Sequence, residues 1–360
     1  MRPVKNLFCI ILSLFLFVGC QWNENEAEDN IIQPLNKDKH NLANMSIPIN
    51  ITETEVKFLL DDFTKIVGGE FEFDSIHRTL NVNVNHHSFS LTDGVPVLEK
   101  DGKFLATDEI YLITDENENI YLPVEFIEVA LNTGVTIENE HVHFQWLGTT
   151  QQVSSTSEVV RMEDWDADQM VSHLSFLEKP IEGAEVSKIA GHLPGAPRAY
   201  RNGFHEGIDW YAFASGGGIS TDTPVYAMGN GIVVRADHGY EEYDSVEARN
   251  LDLAFTNELG MTPEYIIDRL RGRQVWVQYQ GGVLNRFAHL HDIPSEIQVG
   301  NLVTAETVIG YVGNSGTSDG VNQNYEEGLH LHQDILIFGE YFWKYLSQDE
   351  TLKVLERIWE

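Results

Sequence analysis

Apolar residues fall along the 360-residue chain in three patterns. The first is a single block, residues 7–18, almost wholly apolar and preceded by Arg2 and Lys5. It is too short to span a bilayer comfortably, and its basic flank is that of an export signal. The second pattern has helical spacing. Val56, Leu59, Leu60, Phe63 and Ile66 share one face, which predicts a helix over 53–67. A helix over 241–259 is closed by Gly260, and a second starts with Thr262 as N-cap and Pro263 at the first helical position, ending at Gly272. Ser347 and Glu350 form a capping box ahead of Leu352, Leu355, Ile358 and Trp359, so a last helix docks by that face. The third pattern is short β-rich runs between turn residues, at 79–84, 110–113, 135–137 and 142–144, and again at 231–236, 274–279, 285–290, 308–312 and 329–338.

These patterns divide the chain. Residues 1–19 are the signal, 20–47 a polar, acidic tether, and 48–149 a small α+β module. Residues 150–185, rich in Ser and Asp, read as a linker with one short helix near 165–177. Residues 186–345 form a glycine-rich, mainly β domain with a helical insertion, and 346–360 the C-terminal helix. The module resembles the N-terminal stalk domain of copper amine oxidases and of bacterial wall proteins, without implying copper. His86, His87, His141 and His143 within it read as surface histidines.

Charge and cysteine content narrow the chemistry. With 56 acidic against 23 basic residues the net charge is −33, which repels phosphate backbones and excludes nucleic acid as a partner. The two cysteines are Cys9, inside the signal, and Cys20. Neither a disulfide framework nor a cysteine nucleophile is then available to the exported chain. Phe17-Val18-Gly19-Cys20 resembles a lipoprotein cleavage box, with Phe17 where leucine is usual. The resemblance implies cleavage before Cys20, acylation of that residue and attachment to the outer face of the cell membrane.

Three segments carry candidate chemistry: His205-Glu206-Gly207-Ile208-Asp209, Ala288-His289-Leu290, and His330-Leu331-His332. Two residues apart on a strand, His330 and His332 share a face about 6–7 Å apart, whereas bonds to zinc are about 2 Å, so one can ligate while the other stands beside the ion. His205 and Asp209 would lie about 13 Å apart on a straight strand, so the chain must bend between them, and Gly207 permits it.

In this order the segments resemble those of the lysostaphin-type, or LytM-domain, zinc endopeptidases. Thr223-Pro224-Val225-Tyr226-Ala227, Gly229-Asn230-Gly231, Val308-Ile309-Gly310-Tyr311-Val312-Gly313 and Ser315-Gly316-Thr317 extend the likeness over about 186–340. It implies a duplicated-hybrid-motif-like β fold, with Zn2+ on His205, Asp209 and His332 and with His289 and His330 as the catalytic pair. Water attacks a peptide carbonyl, and the pair shares proton transfer and stabilisation of the oxyanion. Two nitrogens and one carboxylate oxygen suit zinc and leave a fourth position open. Asp334, Glu206 and Asp292 are read as solvated or supporting groups. Phe287, Gln333 and Asp334 depart from residues common in the family, and the loops at 239–260 and 319–328 are longer. The implied substrate is the peptide stem or cross-bridge of peptidoglycan. A catalytically silent domain that binds wall or a partner is the alternative, and a solute-binding lipoprotein would need none of these histidines.

Overall fold

A computed structural model of the chain describes residues 43–53, 55–148 and 161–360. The signal, Cys20, most of the expected tether and residues 149–160 lie outside the described residues. The structure is mainly β and its paired strands are antiparallel.

Residues 43–148 form two sheets around a cluster of aromatic rings. In one, the Ala43–Ile51 strand pairs with His141–Trp146 on one side and Val56–Leu59 on the other. The second runs Glu70–Asp74, Thr79–Val84, His87–Thr92, then the short strands Glu99–Lys100 and Lys103–Phe104. Phe63 packs 5.3 Å from Phe58 and 5.9 Å from Phe126, and Phe89 packs 5.1 Å from Phe126. The helix expected over 53–67 is shorter. Residues Val56–Leu59 are a strand, and only Leu60–Val67 are helical, ending at left-handed Gly68. Phe58 decides this: it is fully buried opposite Ile49 and Leu122, a place that sheet pairing provides.

The C-terminal part is built on a seven-stranded sheet. Its order is Ile208–Tyr211, His330–Ile337, Val283–Ala288, Val275–Tyr279, Gly231–Ala236, Leu302–Val303, with Glu340–Tyr341 added beside His330–Ile337. Its central strands are buried along their whole length because both faces are covered. Side chains alternate, so Val275, Val277, Phe287, Leu331 and Ile335 point to the main core. Trp276, Leu284 and Leu336 point to the opposite face, where Val95, Val97 and Phe104 of the N-terminal module lie against them.

The short helix expected near 165–177 is present, but the segment around it is packed into the core and does not run as a linker over its described part. Residues Ala167–Leu174 form a helix with a complete Asp166–Gln169 capping box, packed on the C-terminal helix Gln348–Ile358. Met162, Met170, Leu174, Leu177, Ile181 and Ala184 are buried in the main core. Polar residues on the outer side of this segment set its composition, while the sparse apolar ones do the packing. The helical insertion is Val246–Leu259, capped by Ser245 and closed by left-handed Gly260, followed by Glu264–Leu270. Pro263 stands at the N-cap position of the latter, one place earlier than expected, and Thr262 Oγ1 instead accepts from Arg201 Nη1 at 3.0 Å.

Candidate metal centre

Strand register lines up the centre. Asp209 lies opposite His332, His332 lies opposite Ala288, and Tyr211 lies opposite His330. Alternation then places Asp209, Tyr211, His330, His332 and Asp334 on one face, the face that carries Leu336 further along. His205 reaches them from the segment before the edge strand, fixed by Gly195 N–H donating to its carbonyl and by its own N–H donating to Ala196, each at 2.8 Å. Gly207 acts by close approach and not by a left-handed turn: a Cβ there would collide with the Gln333 carbonyl oxygen and stand 2.6 Å from Asp334 Oδ1. His289 lies one residue beyond the strand that ends at Ala288, in the left-handed region at φ 60°. That conformation is costly for a histidine, and its N–H donates to Arg271 O at 2.8 Å.

Every histidine of the centre is tied through one ring nitrogen to an acceptor outside it. His205 Nδ1 donates to Leu193 O at 3.1 Å, His289 Nδ1 to Ser315 O at 2.7 Å, and His330 Nδ1 to Gly328 O at 2.8 Å. His332 Nε2 donates to Asp334 Oδ1 at 2.8 Å. The other nitrogen of each ring points into the centre, where it can ligate a metal or exchange a proton. His205 Nε2 lies 3.1 Å from His332 Nδ1, and these lie 2.9 and 3.0 Å from Asp209 Oδ1. Two ring nitrogens and a carboxylate oxygen converging at this spacing can share one cation, a proton or a metal ion. Tetrahedral ligands about 2 Å from zinc stand about 3.3 Å apart, so the trio fits that ion. Among the described residues this is the one grouping of His, Cys, Asp or Glu with the spacing to hold a metal. The His141 and His143 rings, 6.4 Å apart, form no such group.

Charge follows burial and neighbours. Burial alone would raise the Asp209 carboxyl, but His205 and His332 outweigh it and hold it well below the usual range. Burial opposes charge on His332, yet Asp334 and Asp209 raise it to about 9. Burial pushes His330 down against the pull of Asp209. Burial, then His330 and His332, hold His289 well below its ordinary value. His289 and His330 are therefore neutral bases at neutral pH. Tyr211, whose phenol burial and Asp209 keep protonated, stacks on His330 with centroids 4.3 Å apart.

Around this centre lies a shell of arginines that the sequence patterns do not single out. Arg271 meets Asp334 at 2.8 Å and Arg286 meets it at 3.8 Å, while Arg201 meets Glu206 at 2.6 Å. Asp334 and Glu206 are thus buried ion-pair partners, whereas Asp292 is exposed. Strand alternation through 330, 332 and 334 is the signal that marks Asp334. The arginines come from separate elements and share no spacing. The centre opens into a cleft of about 380 Å³, walled by Arg198, Tyr200, Arg249, Ile267 and Thr317 among others.

No family model matches the chain, and no curated protein matches it. Among solved structures it is similar to the catalytic domain of lysostaphin from Staphylococcus simulans, at 20% identity over 45% of this chain and 89% of that one, TM-score 0.27. It is similar to LytU, at 19% identity over 49% of this chain and 91% of that one, TM-score 0.26. A zinc-containing peptidase from Vibrio cholerae is similar at 12% identity over 83% of this chain and 68% of that one, TM-score 0.30.

Proposed function

We propose that the chain is a zinc-dependent endopeptidase. It hydrolyses peptide bonds in peptidoglycan stems or cross-bridges, and acyl groups on Cys20 hold it at the outer face of the cell membrane. The observation that carries this reading is the triangle of His205 Nε2, Asp209 Oδ1 and His332 Nδ1, flanked by His289 and His330 with Nε2 free to accept a proton. Zinc, when bound, supplies Lewis acidity, which polarises a carbonyl and makes water more acidic. The protein supplies the rest. Asp334 orients His332, and the Leu193 carbonyl orients His205. Either His289 or His330, both neutral, accepts the proton of attacking water at Nε2 and returns it to the leaving amine. The buried floor and the stacked Tyr211 keep the His330 ring in place.

The wall substrate and the anchor rest on the exported, lipobox-like N-terminus, whose residues lie outside those described. Among the described residues no helix is long and apolar enough to cross a membrane. The test is mass spectrometry of peptidoglycan fragments incubated with the zinc-loaded mature chain. New amino and carboxyl termini should appear, vanish with a chelator and return with zinc. Intact fragments after prolonged incubation would leave a binding role in its place.

A further inference from the structure

Arginine is concentrated where the chain is otherwise acidic. Against 56 acidic and 23 basic residues overall, the cleft is lined by Arg198, Arg201, Arg249 and Arg271, and by only Glu206 and Asp209 among carboxylates. Two of the four are already satisfied by acids: Arg201 by Glu206 at 2.6 Å and Arg271 by Asp334 at 2.8 Å. Of the other two, Arg198 has one long ion pair, 3.4 Å, to a carboxylate of the candidate metal triangle, and Arg249 has none among the described residues. Arg249, on the helical insertion, donates from Nε to Gly316 O at 2.8 Å and from Nη1 to Ser318 Oγ at 3.3 Å, and no carboxylate among the described residues pairs with it. Arg198 donates from Nη2 to Gly191 O at 3.0 Å and reaches Asp209 Oδ2 at 3.4 Å, a carboxylate whose other oxygen belongs to the metal triangle. Both guanidinium groups are thus pinned by part of their donor set, with Arg249 Nη2 and Arg198 Nε and Nη1 given no acceptor among the described residues.

Pinned guanidinium groups with spare donors, in a concave site, are built for planar two-oxygen acceptors. The net negative charge of the chain repels anions generally, so guanidinium groups on the wall of the cleft favour a substrate that brings a carboxylate to them.

The geometry points to Arg198 and Arg249 as specificity-determining residues that select peptides bearing a free carboxylate beside the scissile bond over neutral or amidated ones. This rests on the peptidase reading above and narrows its substrate to acidic wall stems, disfavouring uncharged bridges.

The test uses the zinc-loaded mature chain and pairs of synthetic stem peptides differing in one group, carboxylate or carboxamide. The wild-type kcat/KM should favour the acid by roughly ten- to hundredfold, the range of a charge-assisted bond. The preference should shrink in high salt. In R249Q and R198Q the ratio should fall toward one, chiefly through KM, with R249K intermediate because lysine cannot present a fork. Zinc content and thermal melting of each variant separate lost recognition from lost metal or fold. Equal wild-type rates on acid and amide overturn the inference while leaving the peptidase reading intact. If neither peptide is cut, the peptidase reading fails, and calorimetric binding of the same pair decides this one: a wild-type preference for the acid, absent in R249Q, sustains it, and equal binding overturns it.

Discussion

At His332 the two ring nitrogens face different demands. Nε2 donates to Asp334, and Nδ1 points at Asp209 and His205. Without metal, the raised value of about 9 means that a proton occupies Nδ1 at neutral pH. Because this folded value lies above the ordinary 6.5, the proton stabilises the metal-free fold fully below pH 6.5. That stabilisation is lost as pH rises through 9. Zinc competes for the same atom, so its affinity should rise over the same window. Calorimetric titration with zinc and melting of the metal-free chain across pH 6 to 9 should therefore move in opposite directions. His332→Ala removes a ligand and should strip the metal. His289→Ala leaves the triangle intact, so it should keep zinc and lower turnover by about 10²–10⁴. Metal analysis beside peptide cleavage checks both, and equal zinc loss in the two variants would sink the division of roles. Asp334→Asn frees the orientation of His332 and should weaken zinc binding roughly 10- to 100-fold. It also leaves Arg271 and Arg286 without their buried counter-charge, so a lower melting temperature should accompany the weaker binding.

Among the elements, the antiparallel pairing of the Ile208–Tyr211 edge strand with His330–Ile337 sets the geometry of the centre. Its register puts Asp209 against His332, and Gly207 lets the chain approach closely enough for His205 to join them. Gly207→Ala should cost about 1–3 kcal/mol from overpacking against backbone that cannot yield, and should lower zinc affinity at the same time. Denaturant melts with and without zinc measure the two effects. Much of this was legible in the sequence. The strand over 231–236 coincides with its β-branched run, and the capping box at Ser347 and Glu350 is present as read. The trio His205, Asp209 and His332, which only the family resemblance implied, converges through the pairing of 208–211 with 330–333, a pairing that alternation within either strand does not specify. What was not legible depends on partners distant in sequence. Val56 and Leu59 fit a helical stripe, but pairing with Ile120–Pro123 and Ala43–Ile51 claims them for a strand. Met170, Leu174 and Leu177 are too sparse to outweigh their polar neighbours, and what they cover, the core of the sheet and the C-terminal helix, lies far along the chain. His289 reads as a strand residue, yet its left-handed backbone follows from the bond to Arg271, which no local pattern announces.

Over the whole molecule, both faces of the seven-stranded sheet depend on chain that precedes the candidate metal site. One face is completed by 162–184, where Met170, Leu174, Leu177, Ile181 and Ala184 are buried and Leu177 O accepts from the Trp359 indole at 3.1 Å. The other carries the metal centre at one end and Trp276, Leu284 and Leu336 at the opposite end, under Val95, Val97 and Phe104. Phe104 N–H donates to Gln278 Oε1 at 2.9 Å, and Arg286, which pairs with Asp334, lies beside the Phe104 ring. A polar, linker-like composition at 150–185 suggests an independent domain from about residue 188, but the packing argues against one. A fully buried large apolar side chain contributes about 1.5–3 kcal/mol, so losing Met170, Leu174, Leu177 and Ile181 together forfeits roughly 6–12 kcal/mol. Total stability of a folded domain is about 5–15 kcal/mol. A chain beginning at Lys188 should accordingly show no cooperative thermal transition and bind no zinc stoichiometrically. A chain beginning at Arg161 keeps that core and loses the cover over Trp276, Leu284 and Leu336, together with the Phe104 hydrogen bond to Gln278. It should fold and bind zinc, melt at a lower temperature, and self-associate through the uncovered patch. Circular dichroism melts, zinc titration and size-exclusion chromatography on the two truncations and the mature chain decide the matter. A Lys188 chain that melts cooperatively within a few degrees of the mature protein would show that 162–184 covers the sheet without holding it together.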